Sequence, residues 1–304
     1  MTYLPLITHP SYSFPFPSKH RFPMEKFTLI VEHLQQKKIL TTRNLYRPGK
    51  IKRDLLENTH CPAYIQRFIH NQQTISELRQ MGLPWSEGLL RRTLISPNGT
   101  LLAATLALDK GIACHLAGGT HHAHYDYASG FCILNDLAIT AKTLLATGKT
   151  KRILIFDCDV HQGDGTARML ADTPSAFTCS IHCQTNFPII KAQSDLDVAI
   201  PKHSTDDSYL SSVRATLQHA IDQAKPDLIL YDAGVDICDD DPLGQLHITD
   251  LGLQQREEIV LSACKHKGIP VATVIGGGYH DDRIKLAKRH CVAVEVAHQL
   301  FCAS

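Results

Sequence analysis

Short, nearly continuous apolar runs recur over the last two thirds of the chain, at 112–116, 152–156, 176–181, 227–231 and 270–275. Runs this short, bounded by Gly, Asp and Pro, read as strands buried on both faces. Apolar positions at helical spacing predict helices over 133–145, 209–224, 251–266 and 282–300. Such an alternation predicts an α/β fold, a mostly parallel sheet with helices on both faces. The first hundred residues are less regular. Pro23 in a first turn predicts a helix from 23 to about 38. Residues 62–70, 75–81 and 98–110 read as further helices, the last with Asn98 or Thr100 as its cap. Residues 10–23, with four prolines, read as an ordered loop, and 41–60 as irregular with room for a short extended piece. No repeat, low-complexity stretch or long linker interrupts the chain, so a single domain over 1–304 is expected.

Composition narrows the classes. The hydrophobic share of 43% supplies a core and excludes disorder as the main state. A net charge of +1 gives no support to a nucleic-acid partner. No apolar run approaches the ~20 residues of a membrane span, so no membrane partner is expected. The first residues, Met1-Thr2-Tyr3-Leu4-Pro5, lack the charged and apolar regions of a signal peptide. Ten cysteines without a CxxC pair argue for reduced thiols and a cytoplasmic protein, against a disulfide scaffold or a zinc knuckle. Oligomeric state is not legible.

The chemistry collects where strands end, which is where open parallel sheets bind ligands. Four such ends read Gly118-Gly119-Thr120-His121-His122, Asp157-Cys158-Asp159-Val160-His161-Gln162-Gly163-Asp164, Asp232-Ala233-Gly234-Val235-Asp236 and Gly276-Gly277-Gly278-Tyr279. Asp157, Asp159 and His161 alternate, so an extended segment points all three one way at roughly 6.5 Å steps. Asp159 and His161, with Asp236 from another strand end, offer one nitrogen and two oxygens. That set suits Zn²⁺ with a position left for water and substrate; Fe²⁺ or another divalent ion is the alternative. His121 and His122 have the pKa range for taking and giving protons, with Asp157 and Asp164 to orient them. Tyr279, after three glycines, is placed to donate to a carbonyl oxygen. The glycines match no phosphate-loop pattern. Asp239-Asp240-Asp241 reads as a solvated turn before Pro242, or as an acidic lure for a cationic substrate.

These motifs, 118–136, 157–166, 231–244 and 276–280, resemble the histone deacetylase superfamily in order and spacing. The resemblance implies an arginase–deacetylase fold and zinc-dependent hydrolysis of an Nε-acyl-lysine, from a protein or peptide, or of another acylated amine. It matches Asp159, His161 and Asp236 to zinc ligands. It matches His121 and His122 to the catalytic pair, with His122 as general base and acid, and Asp157 and Asp164 to the carboxylates behind them. Tyr279 matches the carbonyl-polarising tyrosine. Phe131 and Phe187 match the walls of an acyl-lysine tunnel, and Gly130 a carbonyl contact to substrate. A structural K⁺ is implied beside the zinc, held by Asp157, Asp159, His161, Ser180 and Ile181. Gln162 after His161, with the short chain, is similar to class IV and related bacterial members. The alternatives are an acetyl-polyamine or small-amide hydrolase, a non-catalytic scaffold, and a two-metal ureohydrolase.

Overall fold

The structure, a computed structural model, describes residues 3–302. In chain order the elements are β1 (Leu6–Ile7), α1 (Lys26–Gln36), β2 (Leu45–Tyr46), α2 (Arg53–Glu57), α3 (Pro62–Ile69), α4 (Ile75–Met81), α5 (Glu87–Lys110) and β3 (Ile112–His115). There follow α6 (Asp136–Ala146), β4 (Ile153–Asp157), α7 (Asp164–Leu170), β5 (Ala176–Cys183), β6 (Leu196–Ile200) and α8 (Asp206–Ala224). The chain then forms β7 (Leu228–Asp232), α9 (Asp250–Lys267), β8 (Val271–Val274) and α10 (Arg283–Cys302). One eight-stranded sheet runs β2-β1-β3-β8-β7-β4-β5-β6. Every pairing in it is parallel.

The continuous apolar strands are explained by two cores, one on each face. Along β4, Leu154 and Phe156 enter one core and Ile153 and Ile155 the other. Along β7, Ile229 and Tyr231 oppose Leu228 and Leu230 in the same way. Successive strand residues point to opposite faces, so covering both faces requires an apolar residue at every position. Residues of α1, α8, α9 and α10 fill the larger core. Ala103, Ala104 and Ala107 of α5 and Leu137, Ala138 and Ala141 of α6 pack the other.

The helix expected at 98–110 begins eleven residues earlier, at Glu87. Its cap is Ser86, whose side chain accepts from Leu89 N, so neither Asn98 nor Thr100 caps it. Pro97 lies inside the helix and is buried. A proline inside a helix loses one hydrogen bond, and long-range packing outweighs that loss here. The helix expected from 133 starts at Asp136 with Asn135 as its cap, accepting from Ala138 N. Strand β6, at the sheet edge, has alternating exposed positions and lacks the continuous apolar run that marks the inner strands.

Candidate metal centre and active-site cavity

Parallel pairing brings the carboxyl ends of β4 and β7 level, with Asp157 opposite Asp232. The segments that follow carry Asp159, His161 and Asp236, all buried, whose ligand atoms lie within 4.8 Å of one another. His161 Nδ1 is 3.0 Å from Asp159 Oδ1 and 3.1 Å from Asp236 Oδ2. One ring nitrogen holds at most one proton and satisfies one of these carboxylates. Asp236 Oδ2 is left buried without a hydrogen-bond donor. One nitrogen and two carboxylates converging in this way, with an orphaned oxygen, fit a divalent cation.

Backbone N–H groups orient the two aspartates. Val160 N donates to Asp236 Oδ1 at 3.0 Å and His161 N to Asp159 Oδ1 at 2.9 Å. Gly277 N donates to Asp159 Oδ2 at 2.6 Å. Burial, reinforced by the charge of Asp159, pushes the Asp236 carboxyl up to about 7, against the pull of His161. Burial opposes a charge on His161, but Asp159 and Asp236 raise it to about 10. The cluster therefore demands a shared positive charge.

Beside it, His121 and His122 lie with ring centroids 4.1 Å apart. His121 Nδ1 is 2.7 Å from Asp157 Oδ2, and His122 Nδ1 is 2.7 Å from Asp164 Oδ1. A carboxylate on Nδ1 fixes the ring and leaves Nε2 for chemistry. The two environments diverge. Burial lowers His121, but the charges of Asp157 and Asp159 overcome it and hold the ring well above its ordinary value. Burial and the charge of His121 push His122 down to about 3, against Asp164. The surroundings of the two rings thus favour opposite charge states.

Tyr279 lines the same cavity. Its N–H donates to Asp241 Oδ2 at 2.7 Å, and its ring centroid lies 5.7 Å from that of Phe131. Burial, with the charges of Asp236 and Asp159, holds its hydroxyl protonated well above the usual range. Gly130 and Phe131 both have positive φ, which turns this segment into the cavity wall, and Phe131 N donates to Met81 O at 3.1 Å. Phe187 is 43% exposed, with its ring centroid 4.8 Å from that of His122. Ser180 lies opposite Asp157 between β4 and β5, and its hydroxyl is 3.0 Å from His182 Nδ1. Ile181 belongs to the core.

The structure adds residues that carried no role in the sequence reading. His124 Nε2 shares Asp164 with His122, at 3.0 Å. Asp136 accepts from Gly119 N and Thr120 N, bracing the segment before the histidine pair. Asp232 groups with His121 and Asp157, and both its carboxylate oxygens are buried without partners. Burial, reinforced by Asp157, pushes its carboxyl well above the ordinary range. Its place at the end of an apolar strand was the available signal. Of the acidic triplet, Asp239 and Asp240 are exposed in a turn, as the solvated reading expects, and Asp241 departs from it. Asp241 is buried and holds the backbone of Tyr279 and Leu243. Asp240 is engaged by Lys285, Arg289 and His280.

The sequence profile of the histone deacetylase domain matches residues 20–294. The chain belongs to the histone deacetylase family. Membership supports amide hydrolysis as the class of reaction. An uncharacterized protein of Picosynechococcus sp. is 46% identical over 98% of this chain and 99% of its own length. Acetoin utilization protein AcuC of Staphylococcus aureus is 30% identical over 88% of this chain and 75% of its own. The fold of this histone deacetylase family member is similar to that of acetylpolyamine aminohydrolase from Burkholderia pseudomallei, with a TM-score of 0.80 at 19% identity. That likeness covers 98% of this chain and 99% of the other.

Proposed function

We propose that the protein is a zinc-dependent deacylase of Nε-acyl-lysine, with Asp159, His161 and Asp236 as the metal ligands. The observation that carries this reading is the convergence of one histidine and two buried carboxylates beside a histidine pair of opposite charge preference. A divalent cation bound there supplies Lewis acidity toward the substrate carbonyl. His122, neutral and oriented by Asp164, takes a proton from the attacking water and passes it to the leaving amine. His121, held cationic by Asp157, stabilises the negative charge that develops. Tyr279, held protonated, donates to the carbonyl oxygen as it becomes an oxyanion. Phe131, Phe187 and Gly130 form the channel for the lysine stem. The reading includes a structural K⁺ at Asp157, Asp159, His161, Ser180 and Ile181, supported by the register of Ser180 opposite Asp157. It also takes 1–304 as one cytoplasmic domain related to class IV enzymes, as Gln162 after His161 suggests.

The test is a panel of acetyl-lysine peptides and acetyl-polyamines, with and without chelator, on the zinc-loaded protein. Chelator-sensitive turnover of the peptides, with Tyr279→Phe slower by about 10²–10³-fold, is the expected result. Preference for the polyamines moves the substrate assignment. Full activity of Tyr279→Phe removes the role given to that hydroxyl.

A further inference from the structure

The cavity that holds the histidine pair, Asp159 and Tyr279 is also lined by Lys26 and Arg92. Neither cation has a use in the mechanism above. Lys26 is 2% exposed. Its ammonium makes only two long contacts, 3.4 Å each, to the carbonyls of Gly276 and Gly278. Otherwise it faces the rings of Phe22, Phe27 and Tyr279 at 5.6–5.8 Å. The Arg92 guanidinium lies over Phe27 at 4.1 Å and Phe22 at 5.2 Å. Its one polar side-chain contact is Met24 Sδ at 3.8 Å, and its Nε is buried without a partner. Arg92 is half-buried and lines this cavity. Among the described residues neither cation has a carboxylate at ion-pair distance. Burial lowers Lys26 to about 8, with the charge of Arg92 adding to it against the more distant pull of Asp236, Asp241 and Asp159, and burial lowers Arg92 to about 10 against Tyr12, Cys132 and Asp136.

Two unpaired cations in one buried space are costly unless an anion joins them. A guanidinium is shaped to take a carboxylate on two hydrogen bonds. The free space measures about 60 Å³. A lining that includes two cations suits a short acyl group with an anionic end.

We propose that the cavity selects acyl groups of three or four carbons that end in a carboxylate, malonyl or succinyl, with Arg92 and Lys26 receiving that carboxylate. The inference rests on the deacylase reading above. The reaction is hydrolysis: one water is consumed, the acyl C–N bond breaks, the amine takes the proton, and the dicarboxylate is released.

The test compares matched peptides carrying acetyl-, butyryl-, malonyl-, succinyl- and succinamoyl-lysine on the zinc-loaded full chain. The succinamoyl group keeps the succinyl shape without its charge. The expected result is a kcat/KM for succinyl about tenfold or more above succinamoyl. Arg92→Met should collapse that ratio to near one, and Arg92→Lys should restore part of it. A second readout needs neither turnover nor a variant: succinate should raise the thermal midpoint of the zinc-loaded protein and butyrate should not. Turnover of acetyl-lysine with succinamoyl equal to or better than succinyl overturns the inference and spares the deacylase reading. An equal loss on every substrate in Arg92→Met, with no protection by succinate, also overturns it. No chelator-sensitive turnover on any peptide sinks the deacylase reading itself, and this inference with it.

Discussion

A methyl group at position 277 would occupy space held by Asp236 Oδ2 and Asp159 Oδ2. Gly277→Ala is therefore expected to displace two of the proposed ligands and weaken zinc binding by about 10–100-fold. Titration calorimetry checks this, and unchanged affinity would show that the carboxylates do not depend on that backbone. His60 carries a prediction away from the site. Its ring is buried and accepts from Asn135 N at 2.9 Å, and burial lowers it to about 4 from an ordinary 6.5. Below pH 6.5 the unfolded chain takes up a proton that the folded chain refuses. Stability is thus full above that value and falls as pH drops toward 4. From pH 7 to pH 5 the loss is about 2 kcal/mol, and denaturant midpoints of the wild type and His60→Gln should separate over that window. At this scale the sequence shows chemistry through spacing. Asp-x-Asp-x-His and the histidine pair stand out because polar residues follow apolar strands. His124 and Asp136 sit inside the same motifs, but only the folded backbone shows that they brace Asp164 and the Gly119-Thr120 segment.

Elements were legible where one physical rule dominated. The inner strands β3, β4, β5, β7 and β8 read clearly, because burial on both faces forces unbroken apolar runs. Strand β6 and the two-residue β1 and β2 lack that signal, and neighbouring strands define them. Helix α5 shows a competition between candidate caps: Asn98 and Thr100 offered one, while Ser86 supplied the true one. Ser86→Ala should therefore lower stability by about 1 kcal/mol, and the same change at Asn98, whose amide donates to Gly49 O in a solvent-exposed hydrogen bond, should cost less. Urea melts of the two variants decide it. Equal losses would mean that the first turn of α5 is held by its contacts alone.

On the scale of the whole molecule, Arg256 joins helix α9 to the segments that carry the proposed ligands. It is wholly buried, donates to Cys158 O and Gly234 O, and pairs with Glu257, which accepts from Tyr231 at 2.7 Å. Arg256→Met should cost about 3–5 kcal/mol, because it strands Glu257 without its cation; a urea midpoint close to wild type would refute this. Nothing in the sequence marked Arg256, since one arginine in an amphipathic helix looks like any solvated one. The β4–β7 pairing has a consequence in time. It closes over a long stretch of chain, for Val160 and Asp236 are 76 residues apart. Contacts that span such distances form late, after the entropy of closing the loop has been overcome. A cation therefore meets its full set of ligands only on the native side of the folding barrier. Added zinc should leave the refolding rate unchanged and slow unfolding about tenfold for each tenfold rise above its dissociation constant. The centre would then act as a latch, which sets how long the molecule lasts and has no part in how quickly it is made.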